Sequence, residues 1–186
     1  MVDLTKDKDP LGMLLVGGAG LLLGLLANPA RKLAVQAPTM LKGQWDEALA
    51  AEHKATLAVF DLAENTSTDD TTRRAFHLMQ IKHMVGKHSL QEENAVYAMM
   101  RQRGLLSEAQ HLNEDHGVVK QLLFELTMMP KDDSRWIETV RTLRGNLEKH
   151  MAEEENDLFP KLRAALSEQE NAELAKAMNK EGLKLA

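Results

Sequence analysis

His88-Ser89-Leu90-Gln91-Glu92 and His150-Met151-Ala152-Glu153-Glu154 are the two stretches on which the reading of this chain turns. Each sets a glutamate four residues after a histidine. On an α-helix, residues i and i+4 share one face with Cβ atoms about 5–6 Å apart, so each pair can reach one point in space. Working outward, each stretch has a lone histidine ahead of it. His53 precedes His88 by 35 residues, and His116 precedes His150 by 34. The chain therefore writes His…His-x-x-x-Glu twice, with a period of about 62 residues.

The surroundings predict that each of the four histidines sits on its own helix. Leu, Ala, Met, Glu and Lys dominate, all strong helix formers, and aromatics make up only 4%. No stretch alternates apolar and polar residues with β-branched enrichment, so the fold class is all-α. Helix A is expected over 44–64, with Leu49, Leu57 and Phe60 recurring on the side of His53. Asn65–Asp69 carries turn and cap chemistry. Helix B follows over 70–101 and stops near Gly104. Helix C starts at Ser107, where Gln110 completes a capping box, and ends before Pro130. Helix D runs from Asp132–Ser134 to about Ala165, and Ser167 with Glu170 opens a shorter last helix over 168–181. Short connections between long helices make neighbours antiparallel, giving an up-down-up-down four-helix bundle. Antiparallel pairing then brings His53 to the depth of His88 and His116 to the depth of His150. The match is imperfect, and the larger mismatch, across A and B, calls for a longer loop or a later start of B.

In such a bundle four imidazoles and two carboxylates converge in the core: His53, His88, Glu92, His116, His150 and Glu154. Each carboxylate can bridge two ions, and nitrogen plus oxygen donors suit iron, manganese or zinc. Cysteine is absent, which removes disulfides, thiolate sites, iron–sulfur clusters and a cysteine nucleophile. A net charge of −5 gives no grip on nucleic acid. No general acid, nucleophile or substrate pocket can be named, so catalysis stays open.

Residues 1–38 form a separate segment, 39–166 the bundle and 167–186 a C-terminal helix and tail. Residues 11–27, LGMLLVGGAGLLLGLLA, hold no charge and five glycines. As a helix they would span about 26 Å, close to the ~30 Å of a bilayer core. A membrane-inserted helix is the leading reading. A helix packed on the bundle or on its own copies, which would make a homo-oligomer, stays open. A signal peptide fits less well, because Lys6 and Lys8 are offset by Asp3, Asp7 and Asp9. Arg31, Lys32 and Lys42 on the C-terminal flank outnumber Lys6 and Lys8, which favours a cytoplasmic, membrane-associated bundle.

The pattern resembles the hemerythrin-like family, also called the HHE cation-binding domain. Glu52-His53 opens the first half. His88-Ser-Leu-Gln-Glu92-Glu93 is similar to the family's first H-x-x-x-E segment. His150-Met-Ala-Glu-Glu154-Glu155, followed by Leu158-Phe159-Pro160, is similar to the second. The resemblance covers residues 44–163. It implies two non-haem irons with an oxygen bridge, His53, His88, His116 and His150 as terminal ligands, and Glu92 and Glu154 as bridges. Manganese or zinc could substitute, and O2, NO or peroxide would be the small ligand. Glu155 is an alternative to Glu154, since oxygen carriers use a five-residue spacing there. Oxygen carriers also have a second histidine four residues from the third-helix one. Here those positions are Leu112 and Lys120, which brings the chain nearer the sensing, iron-handling and iron-centre-repair members. The readings left open are a binder or sensor of O2 or NO, a peroxide- or NO-reducing diiron enzyme, an iron donor, and a membrane-interaction protein. His77, His83 and His111 read as structural or surface residues, Met79, Met84, Met99, Met128, Met129 and Met151 as core filler, and Trp45 and Trp136 as packing anchors.

Overall fold

The structure is a computed structural model in which residues 31, 32 and 34–186 are described. Residues 11–27, and with them the membrane expectation, lie outside this range. Among the described residues no helix is long and apolar enough to cross a membrane.

Every regular element described is helical. A short helix, α1, covers 34–41 and is followed by a turn at Gly43, whose φ of +78° suits a residue without a Cβ. The bundle follows as α2 (Trp45–Glu64), α3 (Thr71–Gln91), α4 (Tyr97–Gln102), α5 (Leu106–Met128), α6 (Trp136–Glu153) and α7 (Phe159–Ala164). The last helix, α8 (Glu168–Leu185), lies against α3 and α2. Predicted helix B is thus α3 and α4 joined by a π turn over Glu92–Val96. Predicted helix D is α6 and α7 joined by a second π turn over Glu154–Leu158. The connection Asn65–Asp70 is six residues long, and α3 starts at Thr71, one residue later than expected.

Three expectations about helix ends are corrected. Ser107 makes no capping box. The α5 N-cap is Leu105, so Ser107 lies inside the first turn, and its hydroxyl donates to Glu108 instead. Helix α6 begins at Trp136, because Asp133 accepts from the Arg135 backbone N–H and holds its guanidinium, keeping the preceding residues in a turn. Ser167 and Glu170 do form the expected box, but α8 runs on past position 181 to Leu185. Glu181, where the pattern predicts the helix to stop, sits inside it and accepts from Lys184 and Asn94.

The apolar core comes in two layers with a polar layer between them. One layer gathers Trp45, Leu49, Val96, Met100, Leu112, Leu158, Phe159, Leu162 and Met178. The other gathers Phe60, Ile81, Val85, Val119, Leu126, Trp136, Val140, Leu143 and Leu147. Each long helix passes from one layer to the other, and its histidine falls at the crossing. On α2 the order is Leu49, His53, Phe60; on α5 it is Leu112, His116, Val119. Both tryptophans are fully buried, as expected of packing anchors. Truncating a side chain of this size to alanine costs about 3–5 kcal/mol.

Helix α1 closes one side. Its Gln36 side chain donates to Asn179 and accepts from Lys87, and it rests on the backbone of Gly182. A Cβ on residue 182 would stand 2.5 Å from Gln36 Oε1, so any larger residue there would make the Gln36 side chain shift. Lys32 donates to the carbonyls of Leu183 and Lys184, which have no partner within the ending helix.

Candidate metal centre

The two π turns begin at the two glutamates, Glu92 and Glu154. A π turn closes its hydrogen bond five residues back instead of four. Accordingly, the Tyr97 N–H donates to the Glu92 carbonyl and the Phe159 N–H to the Glu154 carbonyl. In a regular helix a residue five positions on points about 140° away. The widened turn returns it to the face of the glutamate, and this is why Tyr97 and Phe159 reach the polar layer.

All six residues expected from the sequence meet there, and all are buried: His53, His88, Glu92, His116, His150 and Glu154. The imidazoles pair by half of the bundle. His53 Nε2 lies 2.8 Å from His88 Nε2, and His116 Nε2 lies 3.1 Å from His150 Nε2. Glu92 spans the pairs, with Oε1 2.9 Å from His88 Nε2 and Oε2 3.3 Å from His116 Nε2. Glu154 Oε2 also spans them, at 3.5 Å from His53 Nε2 and 3.4 Å from His150 Nε2. Two groupings emerge in which donor atoms could hold a cation together. They are His53, His88, Glu92 and Glu154, and Glu92, His116 and His150.

The outward ring nitrogens have partners that the sequence reading did not assign. His53 Nδ1 donates to Glu155 at 2.7 Å, His88 Nδ1 to Glu52 at 3.1 Å and His116 Nδ1 to Glu93 at 2.8 Å. Each bond places a proton on Nδ1 and leaves Nε2 to face the centre. Asp115 stands 3.5 Å from His150 Nδ1, which has no hydrogen-bond partner. These four carboxylates are sequence neighbours of inner residues: Glu52-His53, Glu92-Glu93, Asp115-His116 and Glu154-Glu155. Glu155, the alternative bridge, is 41% exposed and turned to the outer edge of His53, while Glu154 is fully buried and turned inward.

Tyr97 was also missed. It is fully buried and donates to Glu154 Oε1 at 2.7 Å, with its oxygen 3.3 Å from His116 Nε2 and 3.4 Å from His150 Nε2. Phe159 takes the corresponding place in the other half and stacks on His53 with ring centroids 6.3 Å apart.

Burial and neighbouring charges pull the ionisable groups of this centre in opposite directions. Burial pushes His53 down to about 3, with the neighbouring His88 charge adding to the effect. Burial would lower His88 as well, but Glu92 and Glu52 outweigh it and raise His88 to about 10. The proton favoured on His88 Nε2 faces both His53 Nε2 and Glu92 Oε1. Burial and the Glu92 charge raise Glu154 well above the ordinary carboxylate range. Neither oxygen of Glu92, nor Oε2 of Glu154, has a well-directed hydrogen bond, although His88 Nε2 and His116 Nε2 stand 2.9 and 3.3 Å from the two Glu92 oxygens. A buried carboxylate oxygen without a donor is costly. A cation removes that cost. Two donors bound at right angles and ~2.1 Å from one ion stand about 3 Å apart, close to the spacings found here. The donor set fits a metal pair.

Of the remaining histidines, His77 is buried against Gln80, His83 is exposed, and His111 faces Asp115 and Glu153 on the surface.

Comparison with known proteins identifies the family. The family described as the hemerythrin HHE cation binding domain matches residues 46–162. An uncharacterized hemerythrin-like protein of Schizosaccharomyces pombe is 26% identical over 138 residues, covering 72% of this chain and 66% of that protein. No solved structure matches the chain.

Proposed function

We propose, for a chain that belongs to the hemerythrin HHE cation-binding family, that it binds two non-haem iron ions between the apolar layers and uses them to bind or sense a small diatomic ligand, O2 or NO. The observation that carries this reading is the shared position of Glu92, which reaches a histidine pair on either side. His53 and His88 would hold one ion, His116 and His150 the other, with Glu92 and Glu154 between them. When bound, the irons would supply the reversible redox and ligand-binding chemistry that no side chain here offers.

The chain's own residues define where a ligand could enter. Four imidazoles and two carboxylates would hold the ions and would leave room for small ligands. Tyr97 fills the space beside His116 and His150 with a hydroxyl. Beside His53 and His88 the matching residue is Phe159, which has no polar side-chain atom. A small ligand would meet no protein hydroxyl in the His53–His88 half. A surface groove lined by Ala50, Leu57, Met151 and Ala152 and by the charged Lys54, Asp61, Glu148 and Glu155 reaches the edge of His53. The apolar layers above and below admit a small neutral molecule and exclude charged ones.

Optical titration of the anaerobic ferrous protein tests the proposal. A stable band that appears with O2 or NO and disappears on deoxygenation or ligand removal is expected. Rapid consumption of peroxide or NO would favour a diiron enzyme instead, and iron loss to a chelator within minutes would favour an iron donor. Well under two irons per chain after reconstitution would end the diiron reading.

A further inference from the structure

Outside the buried centre, His111, Asp115 and Glu153 form a second group of potential ligands. His111 and Asp115 repeat on α5 the i, i+4 spacing used twice in the core. Glu153 comes across from α6. His111 Nε2 lies 3.3 Å from Glu153 Oε2 and 3.8 Å from Asp115 Oδ2, and the three donor atoms all fall within 4.8 Å of one another. One neutral imidazole with two carboxylates gives a charge of −2, matched to a divalent ion. All three side chains are partly open to solvent, at 46%, 28% and 32%, so water could complete the shell and exchange would be fast.

A second observation comes from the core side. His150 is 1% exposed, and its Nδ1 points toward Asp115 Oδ2 at 3.5 Å without making a hydrogen bond. The other three histidines all bond their outer carboxylates. Only the Asp115–His150 contact falls short of a hydrogen bond, and the same oxygen faces His111. It stands between the surface group and the buried centre.

We propose that His111, Asp115 and Glu153 form an outer site for a divalent transition-metal ion, ferrous iron or manganese, and that metal reaches the buried centre through it. Only the second half of this statement rests on the diiron reading. Three consecutive glutamates then have three separate roles: Glu153 toward the outer ion, Glu154 toward the centre and Glu155 toward His53.

The test uses the full chain and two variants, His111→Ala and Glu153→Gln, neither of which touches the buried centre. Anaerobic equilibrium dialysis against ferrous iron should give one additional weakly held ion in the unaltered protein. Both variants should lose that ion and keep the tightly held ones. Stopped-flow loading of metal-free protein with ferrous iron should slow several-fold in both. Retention of the weak ion in either variant would leave the three residues as a surface ion pair only, and overturns the site. Unchanged loading rates overturn the route. Failure of the core reading looks different: the unaltered protein would hold the weak ion alone, and His111→Ala would hold none.

Discussion

Lys87 offers a quantitative test of how the centre is supported. Its ammonium is buried, 2.7 Å from Glu52 Oε1, with Gln36 and Thr39 of α1 as further partners. Glu52 in turn accepts from His88 Nδ1 and from the Thr39 hydroxyl. Burial alone would raise the Glu52 carboxyl, but His88 and Lys87 outweigh burial and hold it at about 2 against an ordinary 4.5. Shifts of this size correspond to about 3 kcal/mol, shared between the two partners. Lys87→Met keeps the stem's volume and removes the charge. It should destabilise the metal-free protein by about 2 kcal/mol, less than the ~3–5 typical of a fully buried pair because His88 and Thr39 still hold Glu52. The assay is urea denaturation at pH 7, repeated toward pH 2, where protonation of Glu52 should shrink the difference. Adding Glu52→Gln to Lys87→Met should restore at least half of the loss. A loss below about 0.5 kcal/mol, the range of an exposed ion pair, or no recovery in the double variant, would refute the reasoning.

Three further outcomes are expected. His88→Ala and Glu154→Ala should each cut metal occupancy, measured by elemental analysis after reconstitution, while His83→Ala should not; equal losses in all three would count against the site. Tyr97→Phe leaves Glu154 Oε1 without its donor and should cost the metal-free protein about 1–3 kcal/mol in denaturant, and an unchanged midpoint would show that this hydrogen bond contributes nothing. The metal-free protein should be most stable near neutral pH. Below the ordinary histidine value of 6.5, unfolded His53 gains a proton that the folded residue, at about 3, refuses, and Glu52 adds a loss between 4.5 and about 2. On the alkaline side, the contribution of His88 is full below 6.5 and fades as pH rises through about 10. A denaturant midpoint that stays flat from about pH 7 to 10 would contradict the alkaline limb.

Much of the centre was legible in the sequence, because its six residues obey helical spacing and repeat. His88 and Glu92 announce a shared face, and two copies of that signal set the order of the bundle. The outer carboxylates were less visible. Glu52 adjoins His53 in the chain yet serves His88, since a residue beside a ligand on one helix faces the neighbouring helix. Tyr97 was hidden for a different reason. Its place depends on a π turn, and a regular 3.6-residue period puts position 97 on the wrong face. Nothing in the sequence marks Lys87 among the charged residues of its helix, and Gln36 and Thr39 of α1 with Glu52 of α2 enclose its ammonium. At Ser107 the capping pattern was present, but the backbone had already turned into helix by Leu106.

The crossed reach of the two glutamates has a mechanical consequence. Helices α2 and α3 make one hairpin, and α5 and α6 make the other. Glu92 belongs to the first but reaches His116 in the second, and Glu154 belongs to the second but reaches His53 in the first. Any ion held by these side chains is therefore a rivet across the seam between hairpins, not a brace within either one. Stripping it would slacken the seam while leaving each helix wound, so the two halves could part slightly and close again around a new ion.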